Sequence, residues 1–153
     1  MTNLLEINNL SVDFPSRRGQ VAAVNKVSIA VAKGEVLGLV GESGAGKSTV
    51  GNSIINLLEP PGYISGGEII FDGNRIDQLS NEEMRKIRGA KIGTIFQDPQ
   101  TSLNPLMTIG KQLSETLVET LKISGASARD KSIELLASVG IPNPEARLDA
   151  YPH

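Results

Sequence analysis

The sequence predicts an α/β fold with a strand-rich beginning, a phosphate-loop core and a mostly helical end. Three observations predict it. The run Gly41-Glu42-Ser43-Gly44-Ala45-Gly46-Lys47-Ser48-Thr49 follows the apolar stretch Val36-Leu37-Gly38-Leu39-Val40 and precedes a helix-like segment, which is the context a phosphate-binding loop requires. Apolar residues alternate through Leu10, Val12 and Phe14 and again through Val27, Ile29 and Val31, the period of half-buried strands. Toward the carboxyl end, Ile109, Leu113 and Leu117 recur every four residues, the spacing of one helical face.

Taken in order, strands are expected over Leu5–Phe14 and Val27–Val31, with Pro15-Ser16-Arg17-Arg18-Gly19 as the turn between them. Lys33-Gly34 turns the chain into Val36–Val40, whose lack of alternation suits a central strand buried on both faces. A helix is expected from Lys47 to Leu58, with Val50, Ile54, Leu57 and Leu58 on roughly one face and Pro60-Pro61-Gly62 as its stop. Glu68-Ile69-Ile70-Phe71 reads as a strand entering a tight turn at Asp72-Gly73, a pair that accepts positive φ. Ser80 and Glu83 have the spacing of a capping box opening a short helix to about Arg88, and Ile92–Phe96 reads as another strand. Beyond the helix on Ile109, Leu113 and Leu117, Ser127 with Asp130 opens a helix carrying Ile133 and Leu136, closed by Gly140 and Pro142. Asn143-Pro144 opens one more short helix, because proline is tolerated at the first helical position.

Composition narrows the function. With 153 residues, 39% hydrophobic and 21% charged, the chain suits one globular domain rather than a disordered segment. A net charge of −2 supplies no basic field for nucleic acid or anionic lipid. Aromatic residues make up only 3%, with no tryptophan, which argues against a stacking platform for single strands. The absence of cysteine excludes disulfides and thiolate metal sites and suits a reducing cytosol. The start Met-Thr-Asn-Leu-Leu-Glu lacks the regions of a secretory signal, and no apolar run is long enough to span a bilayer. A membrane role is therefore expected to be peripheral.

The loop itself carries the chemistry. Its glycines let the backbone curl so that successive amides face a β-phosphate, Lys47 reaches the β and γ oxygens, and the Ser48 hydroxyl can ligate Mg²⁺. Gly41, Ser43, Gly44, Ala45, Gly46, Lys47, Ser48 and Thr49 are the candidate nucleotide-binding residues.

Further motifs converge on this loop. Phe96-Gln97-Asp98-Pro99 with Thr101-Ser102-Leu103-Asn104-Pro105 resembles the Q loop of ABC transporter ATPases, and the stretch through Ile109-Gly110-Lys111-Gln112-Leu113 resembles their oligopeptide, dipeptide and nickel importer branch. Tyr151-Pro152-His153 is similar to the residues just before that branch's signature helix. The resemblance covers essentially the whole chain. It implies a phosphate-loop NTPase core with an N-terminal antiparallel β part, over about residues 1–100, and a Q loop with the start of a helical subdomain over about 101–153. It also implies that ATP and Mg²⁺ are the cofactors. Gln97 falls where the family's glutamine reaches Mg²⁺ and the attacking water, and Phe14 where an aromatic ring meets adenine. Implied partners are a second ATPase subunit, transmembrane permease subunits and, indirectly, a solute-binding protein, with no nucleic acid. The implied location is cytoplasmic, on the inner face of the cell membrane through the permease.

Some residues imitate motifs without their context. Ile64-Ser65-Gly66-Gly67-Glu68 resembles the ABC signature but precedes a strand, whereas a signature opens a helix facing phosphate, so a loop is expected there. Ile69-Ile70-Phe71-Asp72 resembles a Walker B strand, yet Asp72-Gly73 signals a hairpin. His153 is expected to neighbour the signature rather than to be the family's hydrolytic histidine. The resemblance places the signature, Walker B, catalytic glutamate and switch histidine beyond His153, so the chain is expected to be a truncated domain that binds nucleotide at most. Two other readings stay open: a non-catalytic nucleotide-binding or dimerising module, and an unrelated phosphate-loop kinase or GTPase using Asp72 or Asp98 as its magnesium acid.

Overall fold

Alternating apolar residues near the amino end form the first layer of the structure, a computed structural model describing residues 3–17, 19–96 and 102–153. The chain separates into two compact units, Met1–Arg88 and Gly89–His153.

In the first unit, β1 (Asn3–Ser16) is flanked by β2 (Gly19–Ala32) and β3 (Tyr63–Phe71), and β3 pairs with the short β4 (Asn74–Arg75). All three pairings are antiparallel. Ile7 lies opposite both Ile29 and Ile69, and Val12 opposite both Val24 and Ile64. Ile7, Leu10, Val12, Val24 and Ile69 are buried. A bulge at Asn9, with φ 51°, breaks the two-residue alternation so that both Ile7 and Leu10 face the core. The first turn is tighter than expected, since Pro15 and Ser16 continue β1 opposite Gln20 and Gly19.

The expectation of a loop over Ile64–Gly67 is corrected: these residues belong to β3. Gly67 is what permits this. Its φ is +87°, and a Cβ there would sit 2.5 Å from the Asn9 carbonyl oxygen and 2.6 Å from that of Asn8, so only glycine lets the β1 bulge approach. Asp72 and Gly73 form the anticipated hairpin turn with φ values of 49° and 74°, between paired Phe71 and Asn74. Just beyond β4, the Asp77 carboxylate accepts from the Ile69 amide at 2.8 Å and from Arg75 Nε and Nη2 at 3.0 and 2.9 Å. Arg75 also donates to the Gly67 carbonyl and pairs with Glu68. Burial alone would raise the Asp77 carboxyl, but the Arg75 and Ile69 hydrogen bonds outweigh it and hold the group below its ordinary value of 3.8.

Helix α1 (Lys47–Ile54) is shorter than the periodicity suggested. It ends at a Schellman turn, in which the Leu57 amide donates to the Asn52 carbonyl at 2.8 Å and the Asn56 amide to that of Ser53 at 3.1 Å. Asn56 takes the left-handed conformation this turn needs, with φ 50°, so the helix stops before Pro60 and Pro61 are reached. Val50, Ser53 and Ile55 are buried, whereas Leu57 is exposed. Helix α2 (Asn81–Ile87) has the expected capping box, with the Ser80 hydroxyl accepting from the Glu83 amide and the Glu83 carboxylate from the Ser80 amide at 2.8 Å. It buries Met84 completely.

Two expected strands are absent among the described residues. Val36–Val40 forms no strand, with Val36 95% and Val40 94% exposed, and Ile92–Phe96 has only a single bridge at Ile92. A buried central strand needs a paired strand on each edge and a covering layer on each face. No described segment supplies them.

The second unit is helical. Helix α3 (Ile109–Leu121) is capped by the Thr108 hydroxyl, which accepts from the Lys111 amide, and is followed by α4 (Gly125–Ser138) and α5 (Pro144–Leu148). Leu117, Ala128, Ser132 and Leu148 form its buried centre. A Cβ at Gly110 would meet the Leu148 carbonyl oxygen at 2.8 Å, so this glycine sets how closely α5 approaches α3. Helix α4 begins earlier than Ser127, because Ser124 takes the extended N-cap conformation and its hydroxyl donates to that of Ser127. Gly140, with φ 77°, and Pro144 at the start of α5 stand where the sequence put the helix boundaries.

Asp77→Ala should destabilise the first unit by about 1.5–3 kcal/mol at pH 7, since it removes the partner of the Ile69 amide and of Arg75. A lowered carboxyl pKa contributes stability above the unfolded-state value and loses it as pH falls through the folded-state value. The gap between wild type and variant in urea unfolding should therefore narrow below pH 3.8. Glycine replacements in the loop should also differ. Gly44→Ala and Gly46→Ala each meet positive φ, of +82° and +81°, at about 1–2 kcal/mol. Only at Gly46 does the added carbon also lie 2.5 Å from the Ala23 carbonyl oxygen. Thermal unfolding should show the larger loss for Gly46→Ala.

Candidate functional site

Glycine at the start of α1 shapes the site. Gly46 occupies the N-cap in a left-handed conformation with no side-chain cap, and the first helical bond runs from the Val50 amide to the Gly46 carbonyl at 2.9 Å. The amides of Lys47, Ser48 and Thr49 thus precede the first residue that has an intrahelical acceptor. They stand at the positive end of the helix dipole, where an anion is stabilised. Contact between Gly46 and the β2 backbone at Ala23 seats this end of the helix on the sheet.

The Lys47 ammonium closes the loop on itself. It donates to the Gly41 carbonyl at 2.8 Å and to the Glu42 carbonyl at 2.6 Å, while the Ala45 amide donates to Glu42 at 3.2 Å. Gly41, Ser43, Gly44, Ala45 and Ser48 are exposed along this curl, with Gly46 and Thr49 half-buried. A cation on a short arc of backbone, next to uncapped amides, can hold a polyphosphate chain. The Ser48 hydroxyl has the chemistry of a hard-cation ligand.

The remaining predicted residues are placed as follows. Phe14 is half-buried in β1, with its ring edge against Gly62: a Cβ on that glycine would lie 2.5 Å from the ring. Gln97 and Asp98 lie outside the described residues. Asp72 sits in the β3–β4 turn, where its carbonyl accepts from Asn74 Nδ2 at 2.9 Å, so it does not end a buried strand. His153 stacks on Tyr151 with ring centroids 5.8 Å apart. Among the described residues no group of three or more His, Cys, Asp or Glu converges, and no helix is long and apolar enough to cross a membrane.

Arg88 is the residue that sequence reasoning missed. At the carboxyl end of α2, its Nε donates to the Ile55 carbonyl at 2.6 Å and its Nη2 to that of Asn56 at 2.7 Å, gripping the chain where α1 ends. Its partners lie 32 and 33 residues away in sequence, so no local pattern could have pointed to it.

Comparison with known proteins gives the family. The ABC transporter family model matches residues 24–152. Over its full length the chain is 47% identical to the oligopeptide transport ATP-binding protein OppD of Bacillus subtilis, covering 43% of that protein. It is 41% identical to the dipeptide transport ATP-binding protein DppD of Escherichia coli over 98% of the chain and 46% of that protein. The chain therefore spans less than half the length of these curated relatives. Among solved structures, the ATP-binding cassette MJ0796, in a dimeric post-hydrolysis state bound to ADP and Pi, superposes with a TM-score of 0.83 at 27% identity, over 97% of this chain and 61% of that one. With a glycine-rich loop and helix start seated on an antiparallel sheet, the fold of an ATP-binding cassette and a family match across most of its length, the chain belongs to the ABC transporter family.

Proposed function

We propose that the loop from Gly41 to Thr49 binds the phosphates of MgATP, and that the whole protein is the ATP-binding subunit of an importer for peptides or related small solutes. The carrying observation is the Lys47 ammonium held on the Gly41 and Glu42 carbonyls beside the uncapped start of α1. A phosphate offers this cation a charged acceptor in place of two neutral ones, and charge-assisted hydrogen bonds are the stronger kind.

In this reading the backbone of Gly41, Ser43, Gly44, Ala45 and Gly46 wraps the phosphates, the amides of Lys47, Ser48 and Thr49 face them, and Lys47 neutralises their charge. Ser48 and Gln97 would hold Mg²⁺, Gln97 would also orient the attacking water, and Phe14 would support the adenine ring. When bound, ATP supplies the phosphoryl group and Mg²⁺ the counter-charge on which phosphoryl transfer depends. Residues 1–153 form the N-terminal portion of one ATP-binding domain, with the β part and loop core over about 1–100 and the Q loop and helical beginning over about 101–153. The names of the oligopeptide and dipeptide transport relatives support the solute class. A second ATPase subunit, permease subunits and, through them, a solute-binding protein complete the assembly on the cytoplasmic face of the membrane.

Replacing Lys47 by alanine in the full-length protein should weaken MgATP binding at least about tenfold, the scale of a hydrogen bond to a charged group. Titration with a fluorescent ATP analogue in the presence of Mg²⁺ measures this. Unchanged affinity would sink the reading.

A further inference from the structure

The carboxyl end of α1 is held by two separate devices. The Schellman turn satisfies the carbonyls of Asn52 and Ser53, leaving those that follow without a partner on their own helix. Arg88 reaches back from α2 and takes the next two it can reach, those of Ile55 and Asn56, with two different guanidinium nitrogens. Both bonds are short, at 2.6 and 2.7 Å, and the fork geometry fixes the carbonyls in direction as well as distance. The anchor behind Arg88 is firm. Its own amide donates to the Met84 carbonyl at 2.9 Å, and Met84 is fully buried, so the α2 end cannot drift without moving the core.

We infer that Arg88 is a positioning residue for the phosphate site. It fixes the far end of α1 and thereby the direction in which the amides of Lys47, Ser48 and Thr49 point. Helix α1 has only 8 residues, a length at which isolated helices are unstable and tertiary contacts set both existence and orientation. Gly46 against Ala23 fixes one end and Arg88 fixes the other. A helix secured at the amino end alone can still pivot there, and pivoting changes where its first amides aim. The positive guanidinium also lies at the negative end of the helix, where a cation is favoured.

The inference rests on the proposal that the loop binds MgATP, and the test separates the two. MgATP affinity is measured by calorimetry on full-length wild type, Arg88→Ala, Arg88→Gln and Lys47→Ala, at a temperature where circular dichroism shows each folded. Wild type should bind, and Arg88→Ala should bind about tenfold more weakly, within the range that misplacing a binding group costs. Low millimolar guanidinium should restore Arg88→Ala but not Lys47→Ala. Arg88→Gln, which keeps one donor group, guards against an alanine variant that does not fold, and should show an intermediate loss with shifted amide resonances at Lys47, Ser48 and Thr49. A purely structural Arg88 would lower the melting temperature while leaving affinity and those resonances unchanged in the folded variants, which would overturn the inference with nucleotide binding intact. Failure of wild type to bind MgATP would instead overturn the underlying proposal.

Discussion

The candidate phosphate site of the first unit depends on a short helix held at both ends. Its amino end rests on the Ala23 carbonyl through a glycine with no room for a side chain, and its carboxyl end is closed by a left-handed Asn56 and gripped by Arg88. Between them, Val50 and Ser53 supply the buried face, and the Ser53 hydroxyl turns back to the Thr49 carbonyl at 2.7 Å. So little buried apolar surface would leave such a helix marginal by itself. The sheet and α2 therefore do for α1 what its own length cannot, and the uncapped amides at its start stay available because no side chain competes for them.

The sheet reaches this rigidity through polar as well as apolar constraints. Its core is a row of aliphatic side chains on β1 facing those on β2 and β3, with the Asn9 bulge setting which of them turn inward. At its far edge, Asp77 and Arg75 tie the end of the β3–β4 hairpin to the Ile69 amide and the Gly67 carbonyl. Because the Asp77 side chain is only 5% exposed, its partners decide whether it stabilises or costs. Val36–Val40 shows the opposite balance. An apolar run suited to complete burial stands exposed among the described residues, with neither strand partners nor a covering layer.

Features written in neighbouring residues were legible in the sequence. The Ser80–Glu83 capping box, the Asp72-Gly73 turn, the glycine-rich turn opening α1 at Lys47 and the Ile109, Leu113, Leu117 face each depend on contacts within a few positions. Misreadings arose where a distant contact decided the outcome. Gly66-Gly67 carries turn composition but lies in β3, because the β1 bulge needs a bare backbone opposite it. Pro60-Pro61 promises a helix stop, yet the left-handed Asn56 ends α1 before the chain arrives there. Val36–Val40 has the composition of a buried strand, but composition cannot provide the neighbours that bury it. Within the candidate site, glycine pattern and lysine spacing pointed to the loop that Lys47 closes on Gly41 and Glu42, whereas Arg88 looked like one more charged residue at a helix end until the fold placed it against α1.

In the proposed function, the loop and the start of α1 recognise phosphate rather than the nucleoside. A competition series on the full-length protein, with ATP, ADP, AMP and adenosine displacing a fluorescent nucleotide in the presence of Mg²⁺, separates the two. If the helix-end amides and Lys47 hold the β-phosphate, ATP and ADP compete well and AMP and adenosine are weaker by at least about tenfold. Equal competition by adenosine and ATP would rule out phosphate recognition, because the loop and α1 would then contribute nothing to binding.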